Sequence, residues 1–395
     1  MTRPPVQDTW VYPDYRGAGI VNLMASVISA CGGRADAYAP LPTLELQPLA
    51  GARKLVLLVL DGLGYAYLTQ QGAGSALHRQ LRTRLTSVAP PTTATAITTF
   101  LTGQAPQQHG LTGWFTWFRE LGSVLAVLPF APRCGGRPLG GTGVSAAALF
   151  GHVPLFDRLP VKSASVCPEW IAHSEFNRAH LGSAELLPYR DLDQCFSSIA
   201  RAVRSTDAPG YVYAYWPGFD RLAHELGVAS DGVSEHFAAL DAGFARLLDR
   251  LAGTGTTVLV TADHGFVDVA ADRRIELSAH PVLKDCLALP LCGEQRLSYA
   301  YVRAGCDQRF EDYLDEHLGQ SIEWHHSAAL LQQNLFGLGG PHLELASRIG
   351  DYTLIMKPGY VIQDPIAGEK PFAMVGFHGG LSAAEMYVPL IVAEC

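Results

Sequence analysis

Three hydrophobic runs in this chain end on an aspartate. Leu55–Leu60 runs straight into Asp61-Gly62. Tyr211–Tyr215 leads through Trp216-Pro217-Gly218 to Asp220, with His224 four residues on. Thr257–Ala262 ends in Asp263-His264-Gly265, and near the C-terminus Gly376-Phe377-His378-Gly379-Gly380 supplies one more histidine. Unbroken aliphatic runs are typical of central parallel strands buried on both faces. Parallel sheets gather their strand ends along one edge, where α/β proteins bind ligands. Three aspartates and three histidines meeting there would make a two-metal site, which suits metal-assisted hydrolysis or phosphoryl transfer.

The chain's 395 residues suit one large α/β domain carrying a sizeable insertion, and 48% hydrophobic residues can fill a large core. A net charge of −8 argues against a general polyanion binder, so no nucleic-acid polymer is expected as a partner. A small phosphorylated substrate would have its charge met locally by bound cations. No apolar run reaches the roughly 18 residues of a transmembrane helix, so no membrane partner is expected. Met1–Asp8 lacks the apolar centre of a signal peptide. The eight cysteines include no CxxC pair and read as reduced thiols. A cytoplasmic location is the resulting expectation. Nothing in the sequence speaks to oligomeric state.

Strand and helix patterns alternate from about Lys54 to residue 268, as in a doubly wound sheet. Residues 1–47 read as an N-terminal arm with one amphipathic stretch, Ile20–Ile28. Residues 48–269 and 372–395 read as the catalytic core, and 270–371 as an inserted cap subdomain without a site-type motif. Helices are predicted over 184–205 and 233–252, the second on the spacing of Phe237, Leu240, Phe244, Leu247, Leu248 and Leu251. The Gly-, Pro- and Ala-rich residues 121–150 read as a long surface loop near the site.

Each motif also has a plainer reading. Asp220 and His224 at i, i+4 share one helix face and can bind one ion together, but such pairs are commonly surface charge pairs. Asp-Gly after a strand is ordinary turn chemistry. His378 alone would pass for a core or surface histidine. Pro90-Pro91-Thr92-Thr93 opens onto an Ala- and Thr-rich helix pattern. A threonine there is a helix cap, or a nucleophile whose hydroxyl is activated by a metal and a helix N-terminus. Thr92, Thr93 and Thr95 all compete for that role on this ground alone.

Taken in order, Asp61-Gly62, Pro91-Thr92-Thr93 with Leu101-Thr102-Gly103, Pro106-x-x-His109-Gly110, Asp220-x-x-x-His224, Asp263-His264-Gly265 and Gly376-x-His378-Gly379 resemble the alkaline phosphatase superfamily. The branch they are most similar to is the nucleotide pyrophosphatase/phosphodiesterase family. The resemblance implies an alkaline-phosphatase-like α/β/α sandwich with a mostly parallel central sheet and a smaller inserted cap. It implies two divalent ions, zinc with manganese as the alternative. Asp220, His224 and His378 would hold one; Asp61, Asp263, His264 and the Thr93 oxygen would hold the other. It also singles out Thr93 as the nucleophile of a two-step displacement through a phospho-threonine. Phosphodiester or pyrophosphate substrates of nucleotide type are implied. A phosphomonoesterase or phosphonate hydrolase is the alternative within the superfamily, and a catalytically silent ligand-binding member is the alternative outside enzymes.

One departure bears on substrate. Family phosphodiesterases usually carry an Asn shortly after the His-Gly turn, where it binds a phosphate oxygen. Here the run is His109-Gly110-Leu111-Thr112-Gly113-Trp114, with Trp114 at that position. A backbone N–H, Thr112 or Arg119 would have to replace the amide. The aromatic group Trp114, Phe115, Trp117 and Phe118 would either line the substrate pocket or pack the core.

Overall fold

Lys54–Leu60 lies at the centre of a seven-stranded sheet in the computed structural model, with residues 55–60 buried throughout. The structure describes residues 10–35, 37–46, 54–205, 210–369 and 373–395. Met1–Asp8 and the expected junctions at 47–48 and 371–372 lie outside these. The central strand is parallel to Thr256–Thr261 on one side and to Tyr211–Trp216 on the other. Ser163–Pro168 and Glu185–Tyr189 continue the parallel order. Tyr387–Glu394 is antiparallel and sits between Thr256–Thr261 and Leu81–Thr86. Helices pack against the sheet to give the expected α/β/α sandwich.

Register decides what the strand ends can do. Leu60 pairs with Trp216, and Val59 with Thr261, so all three central strands stop at one level. Asp61 donates its N–H to the Trp216 carbonyl at 3.0 Å, and its own carbonyl accepts the N–H of Asp220 at 3.1 Å. Gly62 has φ 76°, and a Cβ there would come within 2.5 Å of the Phe266 ring, so the first turn requires glycine.

The helix expected over 233–252 spans Asp231–Leu251 and buries Phe237, Leu240, Phe244, Leu247 and Leu251. Three other segments differ from expectation. Residues 184–205 hold a strand, Glu185–Tyr189, before the helix Leu192–Arg204. Pro188 is incompatible with a helix interior, and Asp191 caps the helix by accepting the Gln194 N–H at 2.8 Å. Ile20–Ala30 is a helix buried on nearly every face, packed on the Thr93–Thr102 helix, so this part of the expected arm belongs to the core. Its Asn22 is tolerated inside because the amide donates to the Ala39 carbonyl at 2.8 Å and accepts the Gly19 N–H at 3.1 Å.

The third difference is the expected surface loop. Residues 121–150 contain the strands Ser123–Ala126 and Ala131–Pro132 and the helix Ala146–Phe150. With Phe115–Phe118 these strands join a second, antiparallel sheet ordered 322–326, 352–356, 297–300, 292–293, 115–118, 123–126, 131–132. Four of its seven strands come from the expected cap at 270–371 and three from 115–132. The smaller layer is therefore assembled from two separated stretches instead of one insertion. Among the described residues no helix is long and apolar enough to cross a membrane.

A buried ion pair links the two layers. Arg296 and Glu385 are both fully buried, with Nε to Oε1 at 2.9 Å and Nη2 to Oε2 at 2.7 Å. Arg296 also donates to the Lys357 and Tyr360 carbonyls, and Glu385 accepts from the Gly380 N–H and the Ser382 hydroxyl. Burial alone would raise the Glu385 pKa, but Arg296 outweighs it and holds the carboxylate low. Removing one partner strands the other as a buried charge. Glu385→Gln is expected to lower unfolding free energy by about 3–5 kcal/mol in urea titrations; a loss under about 1 kcal/mol would show that water reaches the pair.

Candidate metal centre and substrate cavity

The carboxyl edge of the main sheet collects all six expected ligands. Asp61 and Asp263 follow the ends of adjacent strands, Asp220 and His224 lie on the short helix Gly218–Leu226, and His378 follows the two-residue strand Gly376–Phe377. Two overlapping triads result, Asp61–Asp263–His264 and Asp220–His264–His378, each with ligand atoms within 4.8 Å of one another. His264 Nε2 lies 3.3 Å from Asp61 Oδ1, 3.4 Å from Asp263 Oδ2 and 3.8 Å from Asp220 Oδ1. His224 Nε2 joins the second group, 3.4 Å from Asp220 Oδ1 and 3.1 Å from His378 Nε2.

Local hydrogen bonds leave one atom of each ligand open. Asp263 Oδ1 accepts the N–H groups of Gly62 and His264, both at 3.0 Å, while its buried Oδ2 has no donor. Asp61 Oδ2 accepts the Tyr215 hydroxyl, which leaves Oδ1 toward His264. Asp220 Oδ1 is buried without a hydrogen-bond donor. His224 Nδ1 and His264 Nδ1 face the Gly376 and Gly265 carbonyls at 2.9 and 3.1 Å. A proton on Nδ1 in each presents the Nε2 lone pair to the centre. Buried oxygens without donors, imidazole lone pairs and a mixed oxygen and nitrogen set fit zinc or manganese.

The electrostatics agree. Burial, with Asp220 nearby, pushes the Asp61 carboxyl well above its usual range, and burial plus Asp61 does the same to Asp263. Burial would raise Asp220 too, but His224 and His264 outweigh it and its value is lowered. Burial would lower His224, but Asp220 outweighs it and its value is raised. Burial and the two neighbouring imidazoles keep His378 neutral.

Thr93 is the first residue of the helix Thr93–Thr102, with Thr92 as its N-cap and Thr95 buried two residues further along the first turn. Thr93 Oγ1 lies 3.3 Å from His264 Nε2 and 3.5 Å from Asp61 Oδ1. Of the three threonines left open by the sequence, Thr93 meets the triads, whereas Thr92 bonds to Glu294.

The residues suggested as stand-ins for the family Asn are engaged elsewhere. The Thr112 hydroxyl is buried and donates to the Arg348 carbonyl at 3.3 Å. Arg119 is exposed and pairs with Glu344 at 2.6 Å. The Trp114 backbone N–H donates to Glu294 Oε1 at 2.6 Å. The Trp114 and Phe115 side chains line the cavity, while Phe118 is wholly buried. His109 is also buried, with Nε2 3.3 Å from Thr99 Oγ1.

A cavity of about 860 Å³ opens from Thr93, Asp220, His224 and His378 toward the second sheet. Glu294, Arg133 and Arg274 line it, and no motif or spacing in the sequence singles them out, since each is a charge in a short polar stretch of ordinary surface composition. Glu294 Oε1 accepts from the Thr92 hydroxyl at 2.7 Å as well as from Trp114. Burial raises its pKa to about 7.

Glu294→Ala leaves two donors without an acceptor and is expected to cost about 1–3 kcal/mol in thermal or urea unfolding. Glu294→Gln, which keeps the carbonyl oxygen, should cost distinctly less; equal losses would mean that the charge, not the acceptor, matters. A pH test follows from Asp61 and Asp263. In the metal-free protein their raised values make the folded state bind more protons than the unfolded chain at pH above 3.8, so their contribution to stability declines as pH rises. A cation must displace those protons, so its binding strengthens with pH. The melting-temperature gap between metal-loaded and metal-free protein should widen as pH rises above the usual carboxylate range. A gap independent of pH would show the carboxylates already ionised.

A family profile described as type I phosphodiesterase / nucleotide pyrophosphatase matches residues 55–381. No curated protein sequence matches the chain. Among solved structures it is similar to murine ectonucleotide pyrophosphatase/phosphodiesterase 5, with TM-score 0.66 and 16% identity over 85% of this chain and 87% of that one. The same murine protein is also known as an inactive Thr-to-Ala variant in complex with AMP, with TM-score 0.65 and 16% identity over 86% of this chain and 87% of that one. Phosphonoacetate hydrolase from Sinorhizobium meliloti 1021, in complex with phosphonoformate, gives TM-score 0.62 and 18% identity over 86% of this chain and 90% of that one. At these identities the solved structures establish the shared fold, while the profile covers most of the chain. The chain belongs to the type I phosphodiesterase/nucleotide pyrophosphatase family of the alkaline phosphatase superfamily.

Proposed function

We propose that this chain is a two-metal phosphohydrolase that cleaves phosphodiester or pyrophosphate bonds of small, nucleotide-like substrates through a phospho-threonine at Thr93. The observation that carries the proposal is the Thr93 hydroxyl, 3.3 Å from His264 Nε2 and 3.5 Å from Asp61 Oδ1 at a helix N-terminus. Asp220, His224 and His378 would hold one zinc, and Asp61, Asp263, His264 and Thr93 the other. When bound, the two cations supply charge neutralisation and Lewis acidity at the phosphoryl group.

The remaining chemistry belongs to the protein. Thr93 Oγ loses its proton and forms a bond to phosphorus while the bond to the leaving group breaks. Water then attacks phosphorus as the bond to Thr93 Oγ breaks; the phosphorylated product leaves, and a proton from the water returns to Oγ to restore the hydroxyl. The N-terminus of the Thr93–Thr102 helix favours the anion formed during both steps. The second sheet closes over the reacting group with Trp114 and Phe115 and restricts water. The inactive Thr-to-Ala neighbour with AMP supports the role of Thr93 and a nucleotide-like substrate. Eight unpaired cysteines, five of them buried, suit a reducing compartment such as the cytoplasm.

A phosphonate hydrolase is the second reading, favoured by the occupation of the Asn position by Trp114 and by the likeness to phosphonoacetate hydrolase. The catalytically silent alternative fits poorly with a complete ligand set beside a placed hydroxyl.

The test compares bis-p-nitrophenyl phosphate with p-nitrophenyl phosphate on metal-analysed protein. Faster diester turnover is expected; faster monoester turnover would move the protein to the phosphatases. Thr93→Ala should keep its metal by elemental analysis and lose turnover by at least roughly 10³-fold. Near wild-type activity in that variant would overturn the nucleophile assignment.

A further inference from the structure

The cavity is much larger than a phosphoryl group needs, and at about 860 Å³ it has room for a whole small-molecule leaving group. Its charges sort into satisfied and unsatisfied. Arg133 pairs with Glu369 at 2.7 Å, donates to the Leu291 and Asp364 carbonyls and lies over the Phe115 ring at 4.1 Å. Asp364 accepts the Leu291 N–H at 2.9 Å and lies 3.9 Å from Lys284. Glu294 is committed to Thr92 and Trp114, and Asp220, His224 and His378 to the metal centre. Glu276 is exposed at the solvent end of the wall.

Arg274 is left. It lines the cavity, yet no carboxylate among the described residues lies within ion-pair distance of it. One Nη donates to the Val269 carbonyl at 3.2 Å, and the buried Nε has no acceptor. A guanidinium has five N–H donors in a planar fork shaped for carboxylate or phosphate oxygens. Its carbon sits 5.5 Å from the centre of the Phe377 ring, and the next residue is His378. The adjoining wall carries Gln295 and Gln363, hydrogen-bonded to each other at 3.0 Å, neutral groups that repel no anion. On a chain of net charge −8, a cation in the cavity wall with no carboxylate partner among the described residues has few rivals for an anionic ligand.

We propose that Arg274 is a specificity-determining residue that receives a second anionic group, a carboxylate or a second phosphate, carried by the leaving group of the substrate. The inference deepens the phosphohydrolase reading and rests on it for the word substrate. The phosphoryl group occupies the metal and Thr93 end of the cavity, the second anion occupies the Arg274 end, and substrates with neutral leaving groups leave the guanidinium unused.

Three probes with one phosphonate core test this by calorimetry on the metal-loaded protein. Methylphosphonate carries no second anion, phosphonoacetate adds a carboxylate, and methylenediphosphonate adds a second phosphonate. The wild type should bind at least one of the latter two about 10- to 100-fold more tightly than methylphosphonate. Which one gains identifies the source of the second anion. In Arg274→Ala and Arg274→Gln that ratio should collapse toward one, and Arg274→Lys should restore part of it. Equal binding of all three probes by the wild type, or an undiminished ratio in both variants, would overturn the proposal. Bis-p-nitrophenyl phosphate turnover by the wild type is followed in parallel. No turnover together with an Arg274-dependent ratio would leave the anion subsite standing and remove the phosphodiesterase reading.

Discussion

Three carboxylates buried at one sheet edge dominate this molecule. Asp61 and Asp263 are almost wholly buried, and Asp220 lies against the same imidazole. Ionised carboxylates at such range and burial repel one another and lose hydration, so they must either hold protons or share cations. The structure answers half of that demand itself. Backbone N–H groups hold one oxygen of Asp263, and the Tyr215 hydroxyl holds one of Asp61. The oxygens left over turn toward the shared imidazoles. Strand register, the glycine turn after Asp61 and the paired Nδ1 contacts of His224 and His264 all keep that half-finished arrangement in place.

Arg296 and Glu385 show the opposite solution a short distance along the chain. They are as deeply buried, but every charge is answered within the protein. One pair is closed within the protein; the aspartate cluster is left open to a cation. The two are linked, because Glu385 accepts the N–H of Gly380, two residues after His378, and Arg296 lies two residues after Glu294. This contact between the layers thereby holds the His378 segment on one side and the Glu294 wall of the cavity on the other.

The parts legible in the sequence are those where a long pattern and a polar terminus coincide. The runs before Asp61, Asp220 and Asp263 identify both the sheet and its ligand edge, and the order of motifs identifies the superfamily. Of the smaller sheet, only a short strand pattern at Leu297–Ala300 was legible, and neither its pairing nor the other strands were. Its strands are two to five residues long and carry no sustained alternation, and Cys292–Gly293 meets Phe115–Phe118 through a single residue pair. Glu185–Tyr189 was hidden because its apolar residues merge with the helix that follows. Glu294 and Arg274 were hidden for a different reason. A charge becomes functional through what surrounds it, and their surroundings come from residues far away in the chain. Thr112 and Arg119 illustrate the converse, since plausible chemistry at a plausible position proved to be committed to Arg348 and Glu344.

The split origin of the smaller sheet also bears on how the chain comes together. Trp114 and its acceptor Glu294 are 180 residues apart. Strands 115–118, 123–126 and 131–132 are synthesised long before the strand that completes their sheet, and until then one edge of the hairpin has open hydrogen-bonding groups. Pairings of such separation form slowly, and incomplete sheets are prone to wrong partners. The main sheet shares this dependence, because Tyr387–Glu394 inserts between two strands that are made earlier, and His378 is the last residue of the aspartate and histidine cluster to be translated. A nascent chain thus carries its aspartates well before it can complete either sheet, and the cluster of aspartates and histidines closes only after the cavity walls around it have been made.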